Sequence, residues 1–137
     1  MTNRFPGSTL GDKLLMVPLP NGDTDLYLQQ DKFWAQFCAD IPESDARLMA
    51  VGQRPFTASA VNEASVEPAW KTIPSRFIYG SLDKNIPPAA HAFMAKRAGS
   101  LETVEVDGSS HVVMLSHPDA VIQLIQNAVA ASVAVTA

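Results

Sequence analysis

The sequence contains one cysteine, no long apolar run and no cluster of basic residues, and each absence excludes a class of protein. A single cysteine, Cys38, rules out an internal disulfide framework and a cysteine-based zinc site. No stretch approaches the roughly 20 apolar residues of a membrane-spanning helix. The first residues lack the apolar core of a secretory signal, so we expect no such signal here.

The charge and the missing cofactor motifs narrow the function further. The formal net charge is −4, whereas binding to nucleic acid phosphates needs a basic face. We therefore expect neither nucleic acid nor a membrane as a partner. No metal-ligand spacing and no phosphate-binding loop occur, so we expect no metal and no cofactor. The lone cysteine fits a reducing compartment, and we expect a cytoplasmic protein.

What is present indicates one small α/β domain. The 137 residues are enough for one ordinary domain, and the 47% of hydrophobic residues are enough for a packed core. Residues 1–67 predict a mainly helical region. Residues 68–137 predict alternating strands and helices, so the pattern changes near the middle of the chain.

The helical region begins with an irregular stretch. Asn21-Gly22, a strong turn signal, lies between two short apolar runs and predicts a hairpin or excursion before residue 30. Asp31 can cap a first helix, and Pro42 suits the first turn of a second helix that stops at Gly52. One face of the first helix carries Phe33, Trp34, Phe37 and Cys38. Residues 57–72 predict a short helix followed by a linker.

The second region predicts a strand–helix–strand–helix unit. Short apolar or alternating runs predict strands at about 75–80 and 102–106. The helix between them begins at Pro87-Pro88 and closes at Gly99, and a final helix begins near Pro118. A right-handed crossover makes the two strands parallel. The fold class is therefore α/β, and ligands are expected at the carboxyl ends of the strands.

One aspartate and one histidine follow these two strands. Asp83 lies in the loop after the first strand, and His111 lies in the loop after the second. Because both loops leave the same edge of a parallel sheet, we expect the two side chains to meet within hydrogen-bonding reach. A single aspartate or histidine is more often structural than chemical. We interpret His91, His117 and Cys38 as ordinary structural residues.

The two loops resemble the acid loop and the histidine loop of the α/β-hydrolases. Residues 77–88, FIYGSLDKNIPP, show a strand, a small-residue turn, an aspartate and a proline-started helix. Residues 104–118, VEVDGSSHVVMLSHP, show a strand, a glycine turn, a histidine, a short apolar turn and another proline. The resemblance is closest to the plant-type esterase and hydroxynitrile lyase branch. Residues 33–55 resemble the helical cap of that branch. The resemblance implies a partial α/β-hydrolase fold, with a cap (lid)-like region at 1–67 and the C-terminal portion of the core at 68–137.

The resemblance also implies catalytic roles. His111 would be the general base that takes the proton of a serine, and Asp83 would orient its imidazole, as in the Ser-His-Asp triad of an esterase. Three aromatic residues of the cap would face a small apolar ester substrate: Phe33, Trp34 and Phe37. The alternative is that these three side chains only pack in the core. Val112 occupies the position at which several hydroxynitrile lyases carry a lysine, which favours ester hydrolysis over the lyase reaction.

The serine of such a triad is not found. The family carries it on a G-x-S-x-G elbow upstream of the aspartate, and no G-x-S-x-G occurs in this sequence. The stretch Gly108-Ser109-Ser110-His111-Val112 copies only the first half of that motif, and Ser110 lies beside the proposed base rather than opposite it. We therefore expect the C-terminal part of an α/β-hydrolase that lacks the nucleophile half and is inactive alone.

Three functional interpretations stay open. The first is an enzyme fragment, and the second is one chain of a two-chain hydrolase. The third is a non-catalytic module, derived from a hydrolase, that binds a small molecule or a protein. In each of them, two parallel strands leave the inner strand with an unpaired edge. We expect that edge to be covered by self-association as a homodimer or by a separate N-terminal piece.

Overall fold

In the part of the chain that the structure describes, two small sheets form, one antiparallel and one parallel, with helices packed against each. The computed structural model describes the backbone of residues 4–135 and the side chains of residues 4–132. Among the described residues, no helix combines the length and the apolar character that a membrane crossing needs.

The antiparallel sheet is built on a hairpin. Strands β1 (Leu14–Pro18) and β2 (Thr24–Leu28) pair antiparallel, and the turn between them uses Gly22 at a φ of 84°. A third strand, β3 (Phe56–Thr57), pairs antiparallel with β2. The predicted hairpin is confirmed. Strand β3 is not among the predicted elements, because two residues are too few to show the alternation that marks a strand.

Three helices accompany this sheet: α1 (Gln30–Phe37), α2 (Glu43–Gly52) and α3 (Ala58–Asn62). Helix α1 begins one residue before Asp31, so Asp31 lies in its first turn instead of capping it. An acidic side chain in that turn still interacts favourably with the positive end of the helix. Pro42 directly precedes α2 and its fixed φ directs the chain into the helix.

The core of this region is shared with the histidine loop. Its buried members are Leu28, Phe33, Cys38, Ala46, Ala50 and Val112, with Leu10, Phe37, Ile41 and Met49 packed against them. Val112 follows His111 in the sequence, so apolar burial fastens the histidine loop to the helices of the N-terminal half. Cys38 lies in this core as predicted, and burial raises the pKa of its thiol to about 11.

The parallel sheet consists of β4 (Arg76–Gly80) and β5 (Glu102–Val106), paired along their whole lengths. Three helices complete this half: α4 (Pro88–Arg97), α5 (Val113–Ser116) and α6 (Pro118–Val135). Helix α4 connects β4 to β5 in the sequence. It is followed by Gly99 at a φ of 62°, a conformation that favours glycine. The predicted strand–helix–strand–helix unit is confirmed. The division into a cap at 1–67 and a core at 68–137 stays a prediction.

The apolar stripe of α6 is only partly covered. Leu124 is buried, whereas Ile125 and Val129 on the same stripe are 57% and 59% exposed. Two strands of five residues offer too little surface to cover a helix of 18 residues. The stripe therefore leaves apolar surface on which further polypeptide could pack.

Gly80, at the end of β4, packs so closely against the histidine loop that no side chain would fit at this position. A Cβ added at Gly80 would lie 2.2 Å from the carbonyl oxygens of Ser109 and Ser110. Just beyond, the Leu82 amide donates a 2.9 Å hydrogen bond to the Ser109 carbonyl. The loop after β4 and the loop after β5 are therefore held together by their backbones.

A Gly80→Ala variant tests this close approach. We expect it to lower the free energy of unfolding by about 3 kcal/mol or more, because the two carbonyls are backbone atoms that cannot move aside as a flexible side chain would. Gly11→Ala is a matched control, since nothing lies within 4 Å of its added Cβ. Urea unfolding measures both variants, and equal stability of the two would contradict the predicted contact.

Candidate active site

The loops after β4 and β5 bring Asp83 and His111 together. The Oδ2 atom of Asp83 lies 2.7 Å from the Nδ1 atom of His111. The Asp83 side chain is 2% exposed, whereas that of His111 is 28% exposed. The pair therefore consists of a buried carboxylate and an imidazole that reaches the surface of a cavity.

Four hydrogen bonds surround the Asp83 carboxylate. Its Oδ1 atom accepts from the amides of Asn85 and Ile86, at 2.8 and 3.0 Å. Its Oδ2 atom contacts the His111 Nδ1 atom and also the Nε2 atom of His91, at 3.0 Å. Burial alone would raise the pKa of the Asp83 carboxyl, but hydrogen bonds from His111, His91 and the Ile86 amide hold it well below its ordinary value of 3.8.

An ionised Asp83 dictates where the proton of His111 sits. A carboxylate only accepts hydrogen bonds, so the Nδ1 atom of His111 must donate. In the neutral imidazole the other ring nitrogen, Nε2, then carries a lone pair. No described residue forms a hydrogen bond with that nitrogen. The arrangement provides an oriented base with its acceptor nitrogen free.

His91 is a site residue that the sequence interpretation missed. It lies in the first turns of α4, and its ring stacks on Tyr79 with centroids 4.9 Å apart and planes 9° apart. The Tyr79 hydroxyl donates to Glu105 Oε2 at 3.1 Å. The available signal is its place one turn into a helix that begins directly after the Asp83 loop. That place alone does not reveal which way the ring points.

The same three side chains are the only group among the described residues with a donor set that could hold a metal ion: Asp83, His91 and His111. Tetrahedral zinc with bonds of about 2.0–2.1 Å separates its ligand atoms by about 3.3 Å. The separations of 2.7 and 3.0 Å on Asp83 Oδ2 are shorter and are those of hydrogen bonds. The geometry is that of a hydrogen-bonded carboxylate with two imidazoles.

A second carboxylate, Asp40, ties the N-terminal half to the histidine loop. Its Oδ2 atom accepts from the Ser110 amide at 2.9 Å and from the Ser109 hydroxyl at 3.0 Å, and its Oδ1 atom accepts from the Ser110 hydroxyl. Burial opposes ionisation, yet hydrogen bonds from Ser110, Ser116 and Ser109 lower the pKa of Asp40 to about 2. Sequence interpretation missed Asp40 because its partners are about 70 residues away.

An apolar cavity of about 650 Å³ opens beside His111. Its wall includes Leu26, Leu28, Phe33, Phe37, Asn85 and His111. The rings of Phe37 and His111 are 4.8 Å apart between centroids and tilted by 53°. The Nδ2 atom of Asn85 is buried without a hydrogen-bond partner among the described groups.

Of the three aromatics predicted to face a substrate, Phe33 and Phe37 line this cavity and Trp34 does not. The Trp34 indole N–H donates to the Ile41 carbonyl at 3.0 Å, and the residue is 38% exposed. Trp34 follows Phe33 directly, so the helical rotation of about 100° per residue turns it away from the cavity.

The comparisons with known proteins agree with this geometry. Residues 4–124 match the model of the alpha/beta hydrolase family. The chain belongs to the alpha/beta hydrolase family. The membership predicted from the two loops is thereby confirmed, as is the partial α/β-hydrolase fold. No match was found among curated protein sequences.

Two solved structures that share the fold are those of an esterase. The chain is similar to polyneuridine aldehyde esterase, with 16% identity and a TM-score of 0.73 over 92% of this chain and 52% of that chain. It is similar to a histidine-to-alanine mutant of that esterase, with 15% identity and a TM-score of 0.72 over 91% and 51%. The chain thus spans about half the length of these solved structures.

Asp40 predicts a pH-dependent contribution to stability. Its pKa falls from 3.8 to about 2 on folding, so its ionised form stabilises the fold above pH 3.8. That stabilisation is lost as the pH falls toward 2, because the carboxyl becomes protonated in the folded state as well. We expect Asp40→Asn to lower the free energy of unfolding by about 1–2 kcal/mol at neutral pH.

Denaturant unfolding of wild type and Asp40→Asn across this pH range measures the effect. The stability difference should shrink between pH 3.8 and pH 2, the two values that bound the titration of Asp40. Asp12→Asn is the matched control, since Asp12 is exposed. A difference in the free energy of unfolding between wild type and Asp40→Asn that stays constant through this pH range would contradict the role assigned to the carboxylate.

Proposed function

We propose that this chain supplies the acid and the base of a Ser-His-Asp triad for ester hydrolysis, and that a separate stretch of polypeptide supplies the serine. The observation that carries the proposal is the 2.7 Å contact between Asp83 Oδ2 and His111 Nδ1 at the wall of an apolar cavity. Family membership supports the same reaction class, since residues 4–124 match the alpha/beta hydrolase model.

The proposed chemistry uses both nitrogens of one imidazole. His111 takes the serine proton on Nε2 while its Nδ1–H remains bonded to Asp83, and the serine oxygen attacks the ester carbonyl. The imidazolium that forms is stabilised by the buried Asp83 anion. His111 then returns the proton to the departing alkoxide, and the acyl-serine is hydrolysed by water in the reverse sense.

The serines nearest to His111 are occupied with other contacts, which supports a nucleophile from elsewhere. The Ser110 hydroxyl binds Asp40 and lies 3.3 Å from the Phe37 carbonyl. Ser109 is fully buried, and its hydroxyl contacts Asp40 and the Ser116 hydroxyl. Neither hydroxyl is hydrogen-bonded to His111, so neither is placed to lose its proton to the proposed base.

The cavity supports a small apolar ester as the substrate. Half of its lining residues are leucine or phenylalanine, which favours an apolar acyl or alkoxy group. Val112 is buried in the core that joins the two halves rather than presenting a charge beside His111. That placement supports an esterase over a lyase that uses a cation there.

The open sheet supports a partner that pairs with β4. Among the described strands, β4 pairs only with β5, so its other edge lacks a neighbour. This chain covers only 52% of a solved structure of the esterase. We propose that either a nucleophile-bearing segment or a second copy of the chain in a homodimer covers that edge.

A cytoplasmic location belongs to the same proposal. The single cysteine, Cys38, is buried as a free thiol, which suits a reducing compartment.

A second candidate is a non-catalytic binding module. The cavity is formed by the described residues of this chain alone. A small apolar molecule could therefore bind without any nucleophile. The two candidates differ in whether addition of a G-x-S-x-G segment yields ester hydrolysis or leaves only binding.

A fluorophosphonate probe tests the proposal directly. We expect no labelling of the chain alone, because the probe reacts with a serine activated by a base and the serines beside His111 are committed to Asp40. An intact serine esterase in the same reaction is the positive control. Stoichiometric labelling of any serine of this chain would contradict a nucleophile supplied from elsewhere.

Light scattering over a dilution series tests the open edge of β4. We expect the purified chain to be a dimer or larger, because an unpaired apolar strand and the uncovered face of α6 favour association. Circular dichroism on the same samples reports whether the chain is folded. A folded monomer at every concentration would overturn this expectation.

A further inference from the structure

We infer that His91 is a positioning residue: it holds the Asp83 carboxylate through the one acceptor site that His111 and the backbone leave open. This inference rests on the proposed function, in which Asp83 orients the base. The carboxylate has about four lone-pair sites. Asn85, Ile86 and His111 fill three of them, and the Nε2 atom of His91 lies 3.0 Å from Oδ2, where it fills the fourth.

The position of His91 is itself fixed from two sides. Its backbone belongs to α4, and its ring lies flat on Tyr79, with planes 9° apart. Tyr79 is buried in β4 and donates to Glu105 on the neighbouring strand. The His91 side chain is only 14% exposed. A donor held in this way restrains the carboxylate that it binds.

The burial of Asp83 makes the fourth donor matter. A carboxylate that is 2% exposed cannot replace a lost hydrogen bond with water easily. Without His91, the backbone amides of Asn85 and Ile86 would still hold Oδ1, but Oδ2 would have a single donor, His111. His111 alternates between its neutral and its protonated form during the proposed reaction, and the hydrogen bond from His91 holds Oδ2 in both.

His91 also shares the charge of Oδ2 with His111. When two donors bind one oxygen, each hydrogen bond is weaker than a single hydrogen bond to that oxygen would be. His91 therefore moderates the hydrogen bond from His111. This sharing requires the two histidines to be opposite tautomers when neutral: His91 carries its proton on Nε2, and His111 carries its proton on Nδ1.

Long-range proton–nitrogen correlation NMR of the full chain at mildly alkaline pH tests the inference. In the wild type we expect the Nε2–H tautomer for His91. Two variants separate the donor from the ring: His91→Gln keeps an N–H donor of similar reach, and His91→Phe keeps a ring to stack on Tyr79 but donates nothing. The second readout is the resonance of the His111 Nδ1 proton.

We expect the His111 Nδ1 proton to move downfield in His91→Phe, because it becomes the single donor to Oδ2, and to stay near its wild-type position in His91→Gln. A role in packing alone would leave this resonance unmoved by the loss of the donor. An Nδ1–H tautomer of His91 in the wild type, or the same resonance in both variants, would overturn the inference.

The outcome is independent of ester hydrolysis. In one outcome, NMR shows the opposite tautomers while the chain fails to hydrolyse esters even when a G-x-S-x-G segment is supplied. That result would refute the proposed function and leave His91 as the residue that holds Asp83. Hydrolysis without the opposite tautomers would refute the inference alone.

Discussion

The site depends on one buried anion. Asp83 is nearly inaccessible to water, and a buried charge is tolerated only when hydrogen bonds replace its hydration. Its donors come from its own loop, from α4 and from the loop after β5, so the anion fixes three separate stretches of chain relative to one another. Removing the charge would loosen all three, because each of them contributes a donor to the same two oxygens.

Asp40 repeats this principle at the junction of the two halves. Its hydrogen bonds to Ser109 and Ser110 hold the residues directly before His111, and Val112 directly after it is buried in the shared apolar core. The histidine is thus fastened on both sides, by charge on one and by apolar burial on the other. The cavity is lined by side chains from both halves, so the contacts that position the base also shape the space beside it.

Local signals predicted the elements, and topology predicted the meeting of Asp83 and His111. Proline and glycine mark the ends of α4, and parallel strands deliver their loops to one edge. Contacts between side chains that are distant in the sequence could not be predicted from the pattern of apolar, proline and glycine residues. The bonds of Asp40 join residues far apart in the chain, and the direction of the His91 ring depends on its stacking against Tyr79. The outward turn of Trp34, in contrast, follows from the helical rotation of about 100° per residue, which could have been predicted from the sequence, and its indole then binds the Ile41 carbonyl.

The central claim is that an ionised Asp83 sets the tautomer of His111, and nitrogen NMR of Asp83→Asn tests it most directly. The amides of Asn85 and Ile86 require an acceptor at Oδ1, so an asparagine would turn its NH₂ group toward the imidazoles. We predict that His111 carries its proton on Nδ1 in the wild type and on Nε2 in the variant. The same tautomer in both proteins would contradict the account.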